Sequence, residues 1–174
     1  MKKLFAILMA LCLMLSCAAL AEGANELNWA DVEPLVEGSG ITGDFVTFDE
    51  IAVKIFLPDG LLAGELTDED YEAGYIGWFI AEDQSAQVAV MLVGMDGMSI
   101  EEYAGYLPEI GADEIEFGAV NGLPMVSYRM PENDSYNVAF ATEAGNIFEV
   151  IMSPASQEGA DMVWGIVAAS IQEA

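Results

Sequence analysis

The stretch from Asn121 to Ala174 constrains the fold more than any other, because strand patterning, turn chemistry and a helix boundary agree there. Leu123–Arg129, Tyr136–Thr142 and Ile147–Ser153 are short runs of β-branched, aromatic and aliphatic residues. Pro131-Glu132-Asn133-Asp134 and Glu143-Ala144-Gly145-Asn146 separate them, and the whole reads as an antiparallel meander. Pro154 has no N–H to give the ladder and ends the last strand. Beyond it Met162, Val163, Ile166, Val167 and Ile171 recur at helical spacing, which predicts a closing helix that turns Ile166 and Val167 onto the sheet.

Upstream, Ile115–Val120 forms a fourth strand of this meander, joined to Leu123–Arg129 through the hairpin turn Asn121-Gly122. Ser99-Ile100-Glu101-Glu102 has the form of a capping box and opens a helix through Tyr103, Tyr106 and Leu107, with Pro108 near its end. Tyr75–Ala81 and Ala86–Val93 make a hairpin that is apolar on both faces and therefore covered on both. Phe45–Phe48 and Ile51–Leu57 make another across Asp49-Glu50, with Ile51, Val53, Ile55 and Leu57 on one face and Ala52, Lys54 and Phe56 on the other. Pro58-Asp59-Gly60 closes it as a turn, and Thr67-Asp68-Glu69-Asp70 starts a helix that ends by Gly74. Asn28 is placed to cap a helix bearing Trp29, Val32, Leu35 and Val36, which Pro34 limits to a turn or two on either side. Glu22 to Glu26 reads as a mobile polar leader. The expected class is α+β: a single antiparallel sheet of about six to seven strands (hairpin, hairpin, helix, meander, C-terminal helix) with helices packed on it.

Lys2-Lys3, the apolar run Leu4–Leu15 and the site Ala19-Leu20-Ala21 form a secretory signal peptide, cleaved after Ala21. The alternative is a lipid anchor at Cys17. Residues 1–21 are thus the signal peptide, 22–40 a leader with a short helix, and 41–174 a single domain. Cleavage removes Cys12 and Cys17, the only cysteines, so the exported protein holds together by packing without disulfides. No later stretch is apolar for long enough to span a membrane. The formal charge of −26, with 30 acidic and 4 basic residues, excludes nucleic acid and anionic surfaces as partners. Once Lys2 and Lys3 are gone, only Lys54 and Arg129 remain basic.

With no histidine in the chain and no cysteine after residue 17, Ser–His and Cys–His hydrolysis and the usual transition-metal ligand sets are excluded. No Ser-x-x-Lys spacing surrounds Lys54, and no glycine-rich loop has phosphate-cradling spacing. Paired carboxylates remain available for glycoside hydrolysis. Asp68, Glu69, Asp70 and Glu72 supply the hard oxygen ligands calcium takes, outside any EF-hand pattern, and the same residues are explained by a helix start. Met95-Asp96-Gly97-Met98 offers two thioethers of the kind copper takes, but two methionines beside a turn read first as core filler. Arg129 suits an ion pair with a neighbouring carboxylate, or a clamp on a ligand carboxylate.

Ile55-Phe56-Leu57-Pro58-Asp59-Gly60, the capped Ser99-Ile100-Glu101-Glu102-Tyr103, Asn121-Gly122-Leu123-Pro124 before a strand, and Met152-Ser153-Pro154 before a helix ending Ala169-Ser170-Ile171-Gln172 resemble the PsbP/Mog-like α/β sandwich of small secreted bacterial proteins. The likeness runs from about Phe45 onward, leaves Trp29 outside, and carries no binding residue across. It implies a small non-catalytic module. The expectation is a secreted, acidic, non-enzymatic domain without a cofactor that binds a protein partner or small ligand. The alternatives are a carboxylate-pair glycoside hydrolase and a calcium-dependent or structural envelope protein.

Overall fold

The structure, a computed structural model, describes residues 25–94 and 97–174. The expected signal peptide, its expected cleavage site and Cys17 lie outside the described residues, as do Met95 and Asp96. The chain opens with β1 (Asn25–Leu27), α1 (Trp29–Ser39) and the hairpin of β2 (Gly43–Phe48) and β3 (Val53–Pro58). Then come β4 (Leu61–Ala63), α2 (Asp68–Glu72) and the hairpin of β5 (Tyr75–Ala81) and β6 (Gln87–Gly94). Next is α3 (Ile100–Ala104), with a 3₁₀ turn at Leu107–Ile110, before the meander β7 (Asp113–Val120), β8 (Leu123–Met130), β9 (Ser135–Ala141) and β10 (Ile147–Ser153). The chain closes with α4 (Ala160–Ala169) and β11 (Gln172–Glu173).

These strands build two sheets where one antiparallel sheet of six to seven strands was expected. The larger has eight strands in the order β1-β7-β8-β9-β10-β6-β5-β4, and the smaller has three in the order β11-β3-β2. The large sheet is mixed, because β1 joins β7 in parallel. Glu26 therefore sits in a strand and not in a mobile leader. The first hairpin joins β11 in a separate sheet, and β3, at its centre, is covered on both faces. Val53, Ile55 and Leu57 enter the main core against β6, β8, β9 and β10, while Phe56 packs with Val32 and Val36 of α1 and Ile166 of α4. A strand buried on both sides belongs inside a layer rather than at the edge of one.

The result is layered: α3 and its 3₁₀ turn cover one face of the large sheet, the small sheet and α4 cover the other, and α1 lies outside these. Trp164, Val167 and Ala168 of α4, with Ile171 after it, fill the main core. Ile166 points away from the large sheet toward α1 and Phe56, which corrects the expectation that it faces that sheet beside Val167. α1 runs for 11 residues with Pro34 at its centre, so under two turns lie on either side of the proline, as its place in the sequence implies. Val32 and Val36, one turn apart and both buried, carry the helix through an exposed proline. The Asn28 side chain makes no capping bond.

The two other helix starts match the sequence reading. Thr67 with Asp70 and Ser99 with Glu102 each form a reciprocal capping box. The second helix is shorter than its spacing predicts, ending at Ala104 before Leu107 and Pro108 enter the 3₁₀ turn. Asn121 and Gly122 adopt φ of 47° and 85°, the left-handed pair a two-residue hairpin needs. Asn121 does more than turn the chain. Its Oδ1 accepts from Trp29 N at 2.8 Å, and its Nδ2 donates to the carbonyls of Ala169 at 2.8 Å and Ile171 at 2.7 Å. One side chain thus ties the start of α1 to the end of α4. Among the described residues no helix is long and apolar enough to cross a membrane.

Candidate functional site

Beneath α3 the large sheet presents Val126, Tyr128 and Met130 of β8, Ala139 of β9 and Ile147 of β10, closed over by Ile100, Ala104 and Leu107. Glu149 of β10 lies in this apolar layer, opposite Ala139 on one side and Met91 on the other, and is only 5% exposed. An ionised carboxylate in such a place needs a cation or several donors. What Glu149 has is two phenols and, beside them, the side-chain amide of Asn137. Tyr128 donates to its Oε1 in a short hydrogen bond, and Tyr103 of α3 lies 3.3 Å from its Oε2. The two hydroxyls are themselves 3.0 Å apart.

Burial pushes the Glu149 carboxyl above the usual carboxylate range, against the opposing pull of hydrogen bonds from Tyr128, Tyr103 and Asn137. Tyr103 and Tyr128 are also raised, first by burial and then by the charge of Glu149. Proton counting points the same way. Three oxygen contacts link three groups. Around an ionised carboxylate the two phenolic protons can fill only two of them, whereas a protonated carboxyl supplies the third and closes a ring. Further along β9, the buried Ser135 Oγ and Asn137 Oδ1 have no hydrogen-bond partner among the described residues. Chemically this is a buried, hydrogen-bonded polar cluster that links α3 to β8 and β10.

Sequence reasoning missed Glu149, Tyr103, Tyr128 and Asn137. The one signal was a lone acid in the apolar run Ile147-Phe148-Glu149-Val150-Ile151, where alternation puts it on the same face as Ile147 and Ile151.

The residues nominated from sequence lie elsewhere. Asp68, Glu69 and Glu72 are exposed on α2. Asp70 is engaged by Thr67, whose N donates to its Oδ2 at 2.8 Å and whose Oγ1 does so at 2.7 Å. The Thr67 backbone and hydroxyl hold the Asp70 carboxyl below its usual range. Among the described residues no group of three or more acidic, histidine or cysteine side chains is arranged to hold a metal ion. Met98 packs into the layer beneath α3. Arg129 lies between two carboxylates, with Nε 2.8 Å from Glu114 and Nη2 2.6 Å from Asp161, and its guanidinium sits 5.8 Å from the Tyr136 ring centre. Its partial burial opposes the charge, but Asp161 and Glu114 outweigh that and raise its pKa.

No family model matches the chain, and no curated protein matches it in sequence. Among solved structures it is similar to the solution structure of cyanobacterial PsbP (CyanoP) from Synechocystis, with a TM-score of 0.54 and 14% identity. The likeness covers 79% of this chain and 96% of that one. The fold is therefore PsbP-like α+β, and at this identity the likeness speaks for the fold alone.

Proposed function

We propose that the protein is a secreted, non-enzymatic binding domain of the PsbP/Mog-like kind, released by cleavage after Ala21, whose partner is another protein. The observation that carries this reading is the placement of its acids. Of the described carboxylates Glu149 alone is buried, Asp70 and Asp134 are half-buried, and the others are exposed. A glycosidase needs two carboxyls facing each other across about 5–10 Å. Glu149 faces two tyrosines, which supports a structural part for it and weighs against the hydrolase reading. Arg129, with both faces of its charge engaged by Glu114 and Asp161, fits a structural ion pair better than a ligand clamp.

The test is incubation of the purified protein with a panel of α- and β-linked polysaccharides from pH 4 to 8, reading new reducing ends. Wild type and Glu149→Gln should both remain at the buffer baseline. Turnover by the wild type that disappears in Glu149→Gln would overturn the non-enzymatic reading. Intact mass of the exported protein separates cleavage after Ala21 from a diacylglyceryl group on Cys17.

A further inference from the structure

We propose that the α3 side of the large sheet docks a basic amphipathic segment of a protein partner; this rests on the binding-domain reading and names the chemistry of what is bound. Phe117 of β7 stands opposite Val126 of β8. Directly opposed residues share one face of a sheet, and Val126 is buried beneath α3 together with Leu107. Phe117 is therefore on the α3 side, and so is the pair Ala119 and Pro124 two residues further on. On the covering segment, Tyr106 and Ile110 flank the buried Leu107. Tyr106 is 59%, Ile110 55% and Phe117 49% exposed. Single exposed apolar residues are ordinary, but of the large apolar side chains exposed among the described residues, which also include Phe45, Leu62 and Tyr71, these three share the α3 side of one sheet and make it the candidate interaction surface.

The polar side chains of the same segment select the partner. Glu101 and Glu109 are exposed carboxylates, and Glu102 beside them is exposed while its Oε2 accepts from Ser99 N. Both described cations lie elsewhere: Lys54 sits over Phe45, and Arg129 is held by Glu114 and Asp161. A second copy of the chain would bring the same carboxylates face to face on molecules of formal charge −26, and like charges across an interface oppose association. Anionic lipid is disfavoured for the same reason. What complements the surface is a segment whose apolar side chains meet Tyr106, Ile110 and Phe117 while flanking Lys or Arg residues meet the glutamates.

The proposal is tested by amide NMR titration at physiological salt with three synthetic probes. One is an amphipathic Leu/Lys peptide, one an isomer with leucines spread around all sides, and one a Leu/Glu counterpart. The amphipathic Leu/Lys probe should saturate, with shifts centred on Tyr106, Ile110 and Phe117, and should bind at least tenfold more weakly to the Ile110→Ser/Phe117→Ser double variant. The Leu/Glu probe should not bind. Equal binding of the scrambled isomer, shifts spread over the whole acidic surface, or no binding at all would overturn the proposal. So would concentration-dependent dimerisation abolished by the double variant, since that assigns the face to a second copy. These outcomes leave the non-enzymatic reading standing, because that one falls only to polysaccharide turnover.

Discussion

A buried carboxyl that meets two phenols and no cation has a distinctive pH signature. The folded pKa of Glu149 is raised, so between its unfolded value of about 4.3 and its folded value the native state binds more protons than the unfolded one. Stability from this group is therefore greatest below the unfolded pKa and declines as pH rises toward the folded pKa. The groups facing it are Tyr128, Asn137 and Tyr103, from β8, β9 and α3. Glu149→Gln keeps one acceptor and gains amide donors without an ionisable proton. Its urea stability relative to wild type should improve as pH rises from 4 to 8, and a difference that stays flat with pH would show that Glu149 is ionised throughout. Asn121 makes a second test at this scale. Asn121→Gly tolerates the φ of 47° but removes three side-chain hydrogen bonds, so it should cost about 2–4 kcal/mol in urea unfolding, at roughly 1 kcal/mol each. In the sequence Asn121 reads only as a turn residue, because its partners Trp29, Ala169 and Ile171 lie 48 or more positions away. Glu149 was hidden for a related reason: strand alternation reports which side a residue faces, while the cover over that side comes from α3.

Local elements were legible where local chemistry decides them, and silent where pairing is distant. The meander, the Ser99 capping box, the Thr67 cap and both hairpins follow from turn residues, capping residues and apolar periodicity, while the reciprocal bond that Thr67 N donates to Asp70 is seen only in the structure. The short strands β1, β4 and β11, of 3, 3 and 2 residues, exist only because an edge is available to them, so no window of sequence encodes them. The division into two sheets has the same origin: β3 pairs with β11 from the other end of the chain, and Ser170 Oγ accepts from Phe56 N at 2.8 Å just before that pairing begins. Helix α4 shows how a correct stripe can be misassigned. Its apolar positions were recognised, but the helix is wedged between two cores, with Val167 in one and Ile166 in the other. Truncating Ile166 to Ala should cost about 2–5 kcal/mol, and Val167 to Ala, which deletes one carbon fewer, should cost less. The two should differ in locality: hydrogen exchange in Ile166→Ala should loosen α1 first, and loosening confined to β8–β10 would contradict the placement of that side chain.

At the scale of the whole molecule, charge opposes the packing just described. Nearly all of the described carboxylates stand in solvent, on a chain of formal charge −26, so their mutual repulsion favours expansion. Its range is set by a Debye length of about 10 Å at 0.1 M salt and about 30 Å at 0.01 M. The melting temperature should therefore rise as sodium chloride is added from low salt. Divalent cations should act at lower concentration, and magnesium should follow calcium closely, because diffuse screening depends on charge whereas a carboxylate cage separates the two ions by size and geometry. Asp70 is committed to capping α2 through Thr67, which leaves Asp68, Glu69 and Glu72 as the exposed acids of that cluster. Replacing these three by Asn, Gln and Gln keeps the cap and removes the cluster, so the calcium and magnesium melting series of this variant should remain parallel to those of wild type. A calcium effect that saturates at low concentration in wild type, exceeds that of magnesium and vanishes in the variant would instead place a specific calcium site on α2.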